Sequence, residues 1–267
     1  PLPPLHTKPA TLGRVLLIAG GCAPATETGE DDIANTAGDV MASADEAATA
    51  LSANAVRAQA FATCGFGAAS WSSCAAGMRT RTFEDCSVGL GTWNGSVILT
   101  FSQAACTMSS ANDTVTRAPN FTITGRRSRT LTLSTGTGGV FQGQRLTRGA
   151  TAGTFSYEVS KIKRVATDAT GATTLDLESN TSTGITLTGL ARANRTMDGG
   201  TLEITDALNT QTYTLTPEAV TWDGTCTCAS SGWWIGSVST TGSTAETTTV
   251  TVKLTACGSA EGTRGDT

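Results

Sequence analysis

The sequence predicts a mainly β protein: an antiparallel meander of roughly a dozen strands, with one N-terminal amphipathic helix packed on the sheet's apolar face. Three observations carry that prediction. From Thr80 onward apolar and threonine-rich positions alternate with a period of two; short glycine-containing segments bound the alternating runs; and a helical period appears only ahead of them.

The helix is expected over residues 30–64. Ile33, Ala37, Val40, Ala44, Ala48, Leu51, Ala55 and Ala58 recur at three- and four-residue intervals, which gathers them on one face, while Asp32, Asn35, Asp39, Glu46 and Arg57 fall on the other. Thr28 and Asp31 have the spacing of a capping box, and Gly65 supplies a stop. The stripe is mostly alanine, so the helix can approach a partner surface closely but gains little from each side chain.

The strands follow. Val97, Leu99 and Phe101 alternate with Ser96, Ile98 and Thr100, and the pattern returns at Phe121 and Ile123, Leu131 and Leu133, Phe155 to Val159, and Leu175 and Leu177. It continues at Ile185 and Leu187, Leu202 and Ile204, Tyr213 and Leu215, and Val250 to Leu254. Turns are expected at Thr135–Gly139, Ala169–Gly171, Asp198–Gly200 and Asp223–Gly224. A sheet of that size curls or splits into layers, so the expectation is a half-barrel or a sandwich. The runs differ too much in length and sequence for a solenoid.

Ahead of all this lies Val15-Leu16-Leu17-Ile18-Ala19-Gly20-Gly21-Cys22, an apolar run after Lys8 and Arg14 that ends in small residues and a cysteine. It has the layout of an export signal, although Val-Leu-Leu-Ile would also suit a buried strand. Ile18-Ala19-Gly20-Gly21-Cys22 resembles the lipobox of bacterial envelope lipoproteins, with Ala19 where leucine is usual. That resemblance implies cleavage before Cys22, lipidation of Cys22 and membrane attachment through the N-terminal lipid. Ala23 after the cysteine points to the outer membrane. The domain organisation that follows is an export segment over 1–21, a polar tether over 22–29, and one β-rich domain over 30–267 that begins with the helix.

Composition narrows the function. Of 267 residues 39% are hydrophobic, enough for a sizeable core, and 15% are charged with a net charge of −4. No global attraction for nucleic acid follows, and no aromatics interleave with the basic residues to stack on bases. There is no Gly-x-Ser-x-Gly elbow, phosphate loop or His-Glu-x-x-His, and the one histidine is His6, inside the export segment. A serine or cysteine nucleophile would lack its imidazole base. No metal or other cofactor is expected.

Eight cysteines behind an export signal imply disulfides. A hairpin turning near Gly91 brings Cys106 close to Cys74 and far from Cys86; one turning near Gly242 and Ser243 brings Cys257 beside Cys228. The expected pairs are therefore Cys74–Cys106 and Cys228–Cys257, then Cys64–Cys86. Cys226 is left as the free thiol once Cys22 is lipidated.

Two binding candidates remain. In Trp233-Trp234 consecutive strand residues face opposite ways, so one ring points away from the core, where it can stack on a sugar or enter a partner's pocket. The basic stretch opened by Arg126, Arg127 and Arg129 and continued through Arg145, Arg148, Lys161, Lys163 and Arg164 is a candidate polyanion patch, or simply solvated strand charge that protects sheet edges. Glu84-Asp85 diverge on a strand and do not make a glycosidase pair; Glu158 and Glu178 have no motif behind them. The function expected is a non-enzymatic, lipid-anchored envelope protein with a structural or binding β-domain that engages a glycan, lipid or protein partner. The alternatives are a carrier of lipid or hydrophobic ligand, whose half-barrel the helix plugs, and a secreted glycan-active enzyme that uses carboxylates.

Overall fold

The computed structural model describes residues 15–16, 71–88, 91–125, 128–138, 141–224, 229–240, 247–256 and 259–266. They form a single sixteen-stranded sheet in which every pairing is antiparallel. The strands are β1 (Val15–Leu16), β2 (Met78–Val88), β3 (Gly91–Phe101), β4 (Thr114–Thr124), β5 (Thr130–Thr135), β6 (Gly143–Arg148), β7 (Thr154–Ser160) and β8 (Ile162–Thr167). They continue as β9 (Thr173–Thr183), β10 (Ile185–Thr188), β11 (Thr196–Asp198), β12 (Thr201–Asp206), β13 (Gln211–Thr221), β14 (Ser231–Thr240), β15 (Thr247–Ala256) and β16 (Ser259–Asp266).

The pairings reduce to a plain meander once four broken strands are rejoined. β5 and β6 both lie along β4, at Phe121↔Leu133 and Val115↔Leu146. Their far sides meet β8 and β7, which in turn meet β9 and β10. β12 and β11 complete the series and both pair β13, at Leu202↔Leu215 and Met197↔Val220. Each of β5/β6, β7/β8, β9/β10 and β11/β12 is thus one long row, and each row neighbours the next in sequence. Local pairing of this kind needs no crossover and closes only short loops.

The breaks align into a crease across the sheet. Residues 136–142 are inserted between β5 and β6, and the Gly136 N–H donates to the Lys161 carbonyl at 2.6 Å. Lys161 itself, with φ of 52°, separates β7 from β8. Gly184 parts β9 from β10, and Gly199 and Gly200, with φ of 61° and 73°, part β11 from β12. Such local kinks bend strands and let a wide sheet curve.

One face is predominantly apolar, with a few buried polar side chains such as Arg117, hydrogen-bonded to Gln144 at 2.8 Å, and Arg164 set among the apolar ones. Leu146, Tyr157, Leu177, Ile185, Leu187, Met197, Leu202, Ile204, Leu215 and Trp234 on that face have no solvent exposure. Toward β2 it is lined by aromatics: Gly95 pairs both Phe83 and Phe121, and a Cβ there would sit 2.4 Å from the Asn120 oxygen. The missing side chain lets the two phenyl rings approach to 5.8 Å, and Trp93 stacks on Phe121 at 5.0 Å. The opposite face is threonine-rich and carries cross-strand hydroxyl pairs, Thr122 with Thr132 at 3.0 Å and Thr130 with Thr167 at 2.7 Å. Its ion pairs among the described residues are Arg145–Glu158 and Lys163–Asp176.

The mainly β, antiparallel expectation is met, by one hydrogen-bonded sheet. The helix expected over 30–64 lies outside the described residues, as do the tether and most of the export segment. Val15 and Leu16 form β1 beside β16. Two of the four expected turns are corrected: Asp198–Gly200 and Thr135–Gly139 do not reverse the chain but interrupt rows that continue in the same direction. Glycine frees the backbone for a kink as readily as for a reversal, so composition alone cannot separate the two.

Candidate functional site

On β14 two adjacent indoles lie on opposite faces of the sheet. Trp234 is fully buried opposite Pro217 and Val252, whereas Trp233, on the other face, is 38% exposed. Period-two alternation puts adjacent indoles on opposite sides, and flanking glycines let the neighbouring strands close up around them. At Gly236 a Cβ would meet the Thr214 oxygen at 1.8 Å.

Trp233 belongs to a cross-strand row of Glu218, Trp233, Lys253 and Glu261. The Lys253 ammonium stands 5.0 Å from the ring centroid, a cation–π contact that orients the indole. Thr216, Ile235, Thr251 and Thr263 form the next row. The strip therefore combines a flat aromatic surface, hydroxyls and charges of both signs on rigid strands. That set of groups can stack on a sugar ring and hydrogen-bond its hydroxyls, or seat a polar protein surface.

The basic stretch does not converge. Arg126 and Arg127 lie outside the described residues, and Arg129 is exposed. Arg145 binds Glu158 through Nε and Nη2 at 3.0 and 2.8 Å and lies over the Phe141 ring at 4.1 Å. Arg148 donates to the Met108 carbonyl at 2.7 Å, Lys163 faces Asp176 at 3.7 Å, and Arg164 is buried on the apolar face. Alternation sends this run to both faces, which a reading by charge count does not register.

Of the carboxylates weighed in the sequence, Asp85, Glu158 and Glu178 are engaged. Asp85, at φ of 47° in a bulge of β2, receives the Asn94 side-chain amide at 3.1 Å and gives its own N–H to the Asn94 oxygen at 2.8 Å. Glu178 accepts from Asn180 at 3.2 Å. Asp113 is held by Gln103, Ser110 and Ser102; the Gln103 amide foremost, then the Ser110 N–H, keeps its carboxyl below the ordinary carboxylate range. Asp168 is lowered in the same way, by the Thr170 hydroxyl first and the Thr170 N–H second, inside its own turn. Both acids brace loops. Among the described residues no three His, Cys, Asp or Glu side chains gather as metal ligands.

Cys74 and Cys106 are joined in a disulfide, with Cα atoms 5.9 Å apart. The β2–β3 hairpin explains the pairing: Met78 lies opposite Thr100, Gly77 exchanges hydrogen bonds with Phe101 and Ala104, and the sulfurs meet at its open end. Cys86, opposite Trp93, is also disulfide-bonded, to a partner outside the described residues. Cys22, Cys64, Cys226, Cys228 and Cys257 lie outside them as well. The β14–β15 register runs from Gly232↔Leu254 to Ser239↔Thr247, while Gly242, Ser243 and both cysteines of the expected Cys228–Cys257 pair lie outside the described residues.

Sequence reasoning missed Lys253, Glu218 and Glu261, because cross-strand neighbours far apart in the chain become a group only when the register is known. Comparison with known proteins finds no matching family model, no matching curated protein and no matching solved structure.

Proposed function

We propose that the protein is a non-enzymatic, lipid-anchored envelope or surface protein whose β-meander is a structural and binding module, held at the membrane through a lipid on Cys22. The observation that supports the binding role is the half-exposed Trp233, oriented by Lys253 and bordered by Glu218 and Glu261 on a hydroxyl-rich face. An indole kept in water on a rigid strand favours a partner that supplies flat, partly apolar faces together with hydroxyls, as a glycan does. The anchor is supported by the resemblance of Ile18–Cys22 to a lipobox. Two acyl chains would hold the protein stably at a bilayer, at roughly 0.8 kcal/mol for each buried methylene.

Two measurements test this reading. The full chain, expressed with its export segment, is fractionated beside Cys22→Ser; the parent should stay with membranes through low- and high-salt washes and the variant should be released. A variant that remains membrane-bound removes the anchor. For the binding role, co-sedimentation with insoluble cell-wall polysaccharide should fall at least about tenfold in Trp233→Ala, the loss expected when one stacking contact worth roughly 1.4 kcal/mol is removed. Equal sedimentation of parent and variant removes Trp233 from the site.

A further inference from the structure

The Lys253 ammonium stands over the Trp233 ring, 5.0 Å from its centroid, and so occupies aromatic surface on which a sugar would stack. Lys253 has a second partner within its own row. Across the β15–β16 ladder it lies opposite Glu261, and both side chains are exposed. Opposite charges placed in this way on neighbouring strands attract. The ion pairs among the described residues are nonetheless Arg145–Glu158 and Lys163–Asp176, and Lys253 belongs to neither.

Arg145, on the same face of the sheet, makes the contrast. It lies over the Phe141 ring at 4.1 Å and binds Glu158 at 2.8 Å at once. A guanidinium is planar and carries several donors, so it serves a ring and a carboxylate together, whereas an ammonium is a compact point charge on a flexible stem. The two partners of Lys253 also stand on opposite sides of β15, on strands about 10 Å apart. The ammonium therefore turns to one or to the other. An exposed cation–π contact and an exposed ion pair contribute similar, small amounts, so the two positions lie close in free energy.

We propose that Lys253 is a displaceable cover of the binding surface: it lies on the Trp233 indole in the free protein and swings to Glu261 when a sugar ring stacks there. The proposal deepens the glycan-binding role put forward for Trp233 and rests on it. Sugar and ammonium then compete for the same ring, and the apparent affinity is reduced by the fraction of chains in which the ring is covered. Glu261 gives the displaced charge a partner, so one weak contact is exchanged for another. Lys253 and Glu261 thereby set the affinity of the site without touching the sugar.

The test is co-sedimentation of the full chain and its variants with insoluble cell-wall polysaccharide. Both residues are exposed, so the substitutions keep the fold. Lys253→Ala uncovers the ring and should bind about two- to fivefold more tightly, the factor that corresponds to the roughly 0.5–1 kcal/mol of an exposed cation–π contact. Lys253→Arg can hold ring and carboxylate together and should bind no better than the parent. Glu261→Gln should weaken binding in the parent and change nothing in Lys253→Ala, because Glu261 acts only through Lys253. NMR of the free chain reads the cover directly: the Lys253 methylene protons beside the amine should be shifted upfield by the indole ring current, and the shift should vanish in Trp233→Ala. A Lys253→Ala variant that binds like the parent or more weakly overturns the cover, as does a Glu261→Gln effect that persists without Lys253 or a missing ring-current shift. In each of those cases a loss of binding in Trp233→Ala leaves the glycan-binding role standing. Parent and Trp233→Ala that sediment equally refute that role, and the cover with it, whatever the ring-current shift shows.

Discussion

Gly200 lies so close to Gly184 that a Cβ on Gly200 would meet the Gly184 carbonyl oxygen at 2.5 Å. The two glycines sit on neighbouring rows, one between β11 and β12 and the other between β9 and β10, and the crease of the sheet passes through both. Gly200 also has φ of 73°, where a side chain is strained even with room around it. Gly200→Ala should therefore cost at least about 1–3 kcal/mol, from the left-handed backbone alone. Urea unfolding measures it, and a loss under about 0.5 kcal/mol, the size of an ordinary surface change, would mean that the crease relaxes freely.

The Cys74–Cys106 bond closes a sequence separation of 32 residues around the β2–β3 hairpin. In the chain-entropy treatment a loop of that size contributes roughly 3–4 kcal/mol by restricting the unfolded chain. The paired change Cys74→Ser/Cys106→Ser should lower global stability by about that amount. Native-state hydrogen exchange checks it: the slowest amides, which exchange by global unfolding, should speed up together across the sheet, β14 and β15 included, and acceleration confined to the open end of β2 and β3 would mean that the bond acts locally on the folded state instead.

The two indoles of β14 should separate cleanly. Trp234→Ala empties a fully buried position and should cost about 3–5 kcal/mol, whereas Trp233→Ala loses a surface cation–π contact of roughly 0.5–1 kcal/mol. Thermal melts of the two variants check the ordering. The reverse order would place the wrong ring in the core and shift the register of β14 by one residue.

Asp113 links stability to pH. Its folded carboxyl titrates below the unfolded value of about 3.9, so its contribution is fully present above that pH. It is lost as pH falls from there through the lowered folded value. Asp113→Asn should accordingly be less stable than the parent at neutral pH and show a shallower loss on acidification below about pH 4. An acid limb unchanged by the substitution would mean that the Gln103 and Ser110 hydrogen bonds do not favour the charged form.

The sequence by itself determined the class of fold and much of its detail. Period-two alternation depends only on the pleat of a strand, so the residues that face the core, from Val97 through Leu254, were legible without knowing any partner strand. Local hairpin geometry was legible too: the β2–β3 register that joins Cys74 to Cys106 follows from one turn position, as does the split of Trp233 from Trp234. What only the tertiary structure decided is which glycines fold the chain back and which crease it. Gly171 lies in the turn between β8 and β9, while Gly199 and Gly200 interrupt a row that continues, and the same backbone freedom serves both. Tertiary structure also decided the Glu218, Trp233, Lys253 and Glu261 row and the dispersal of the basic stretch over two faces. Each of these depends on which strand lies beside which, and lateral neighbours come from the summed register of the whole meander rather than from any local run of residues.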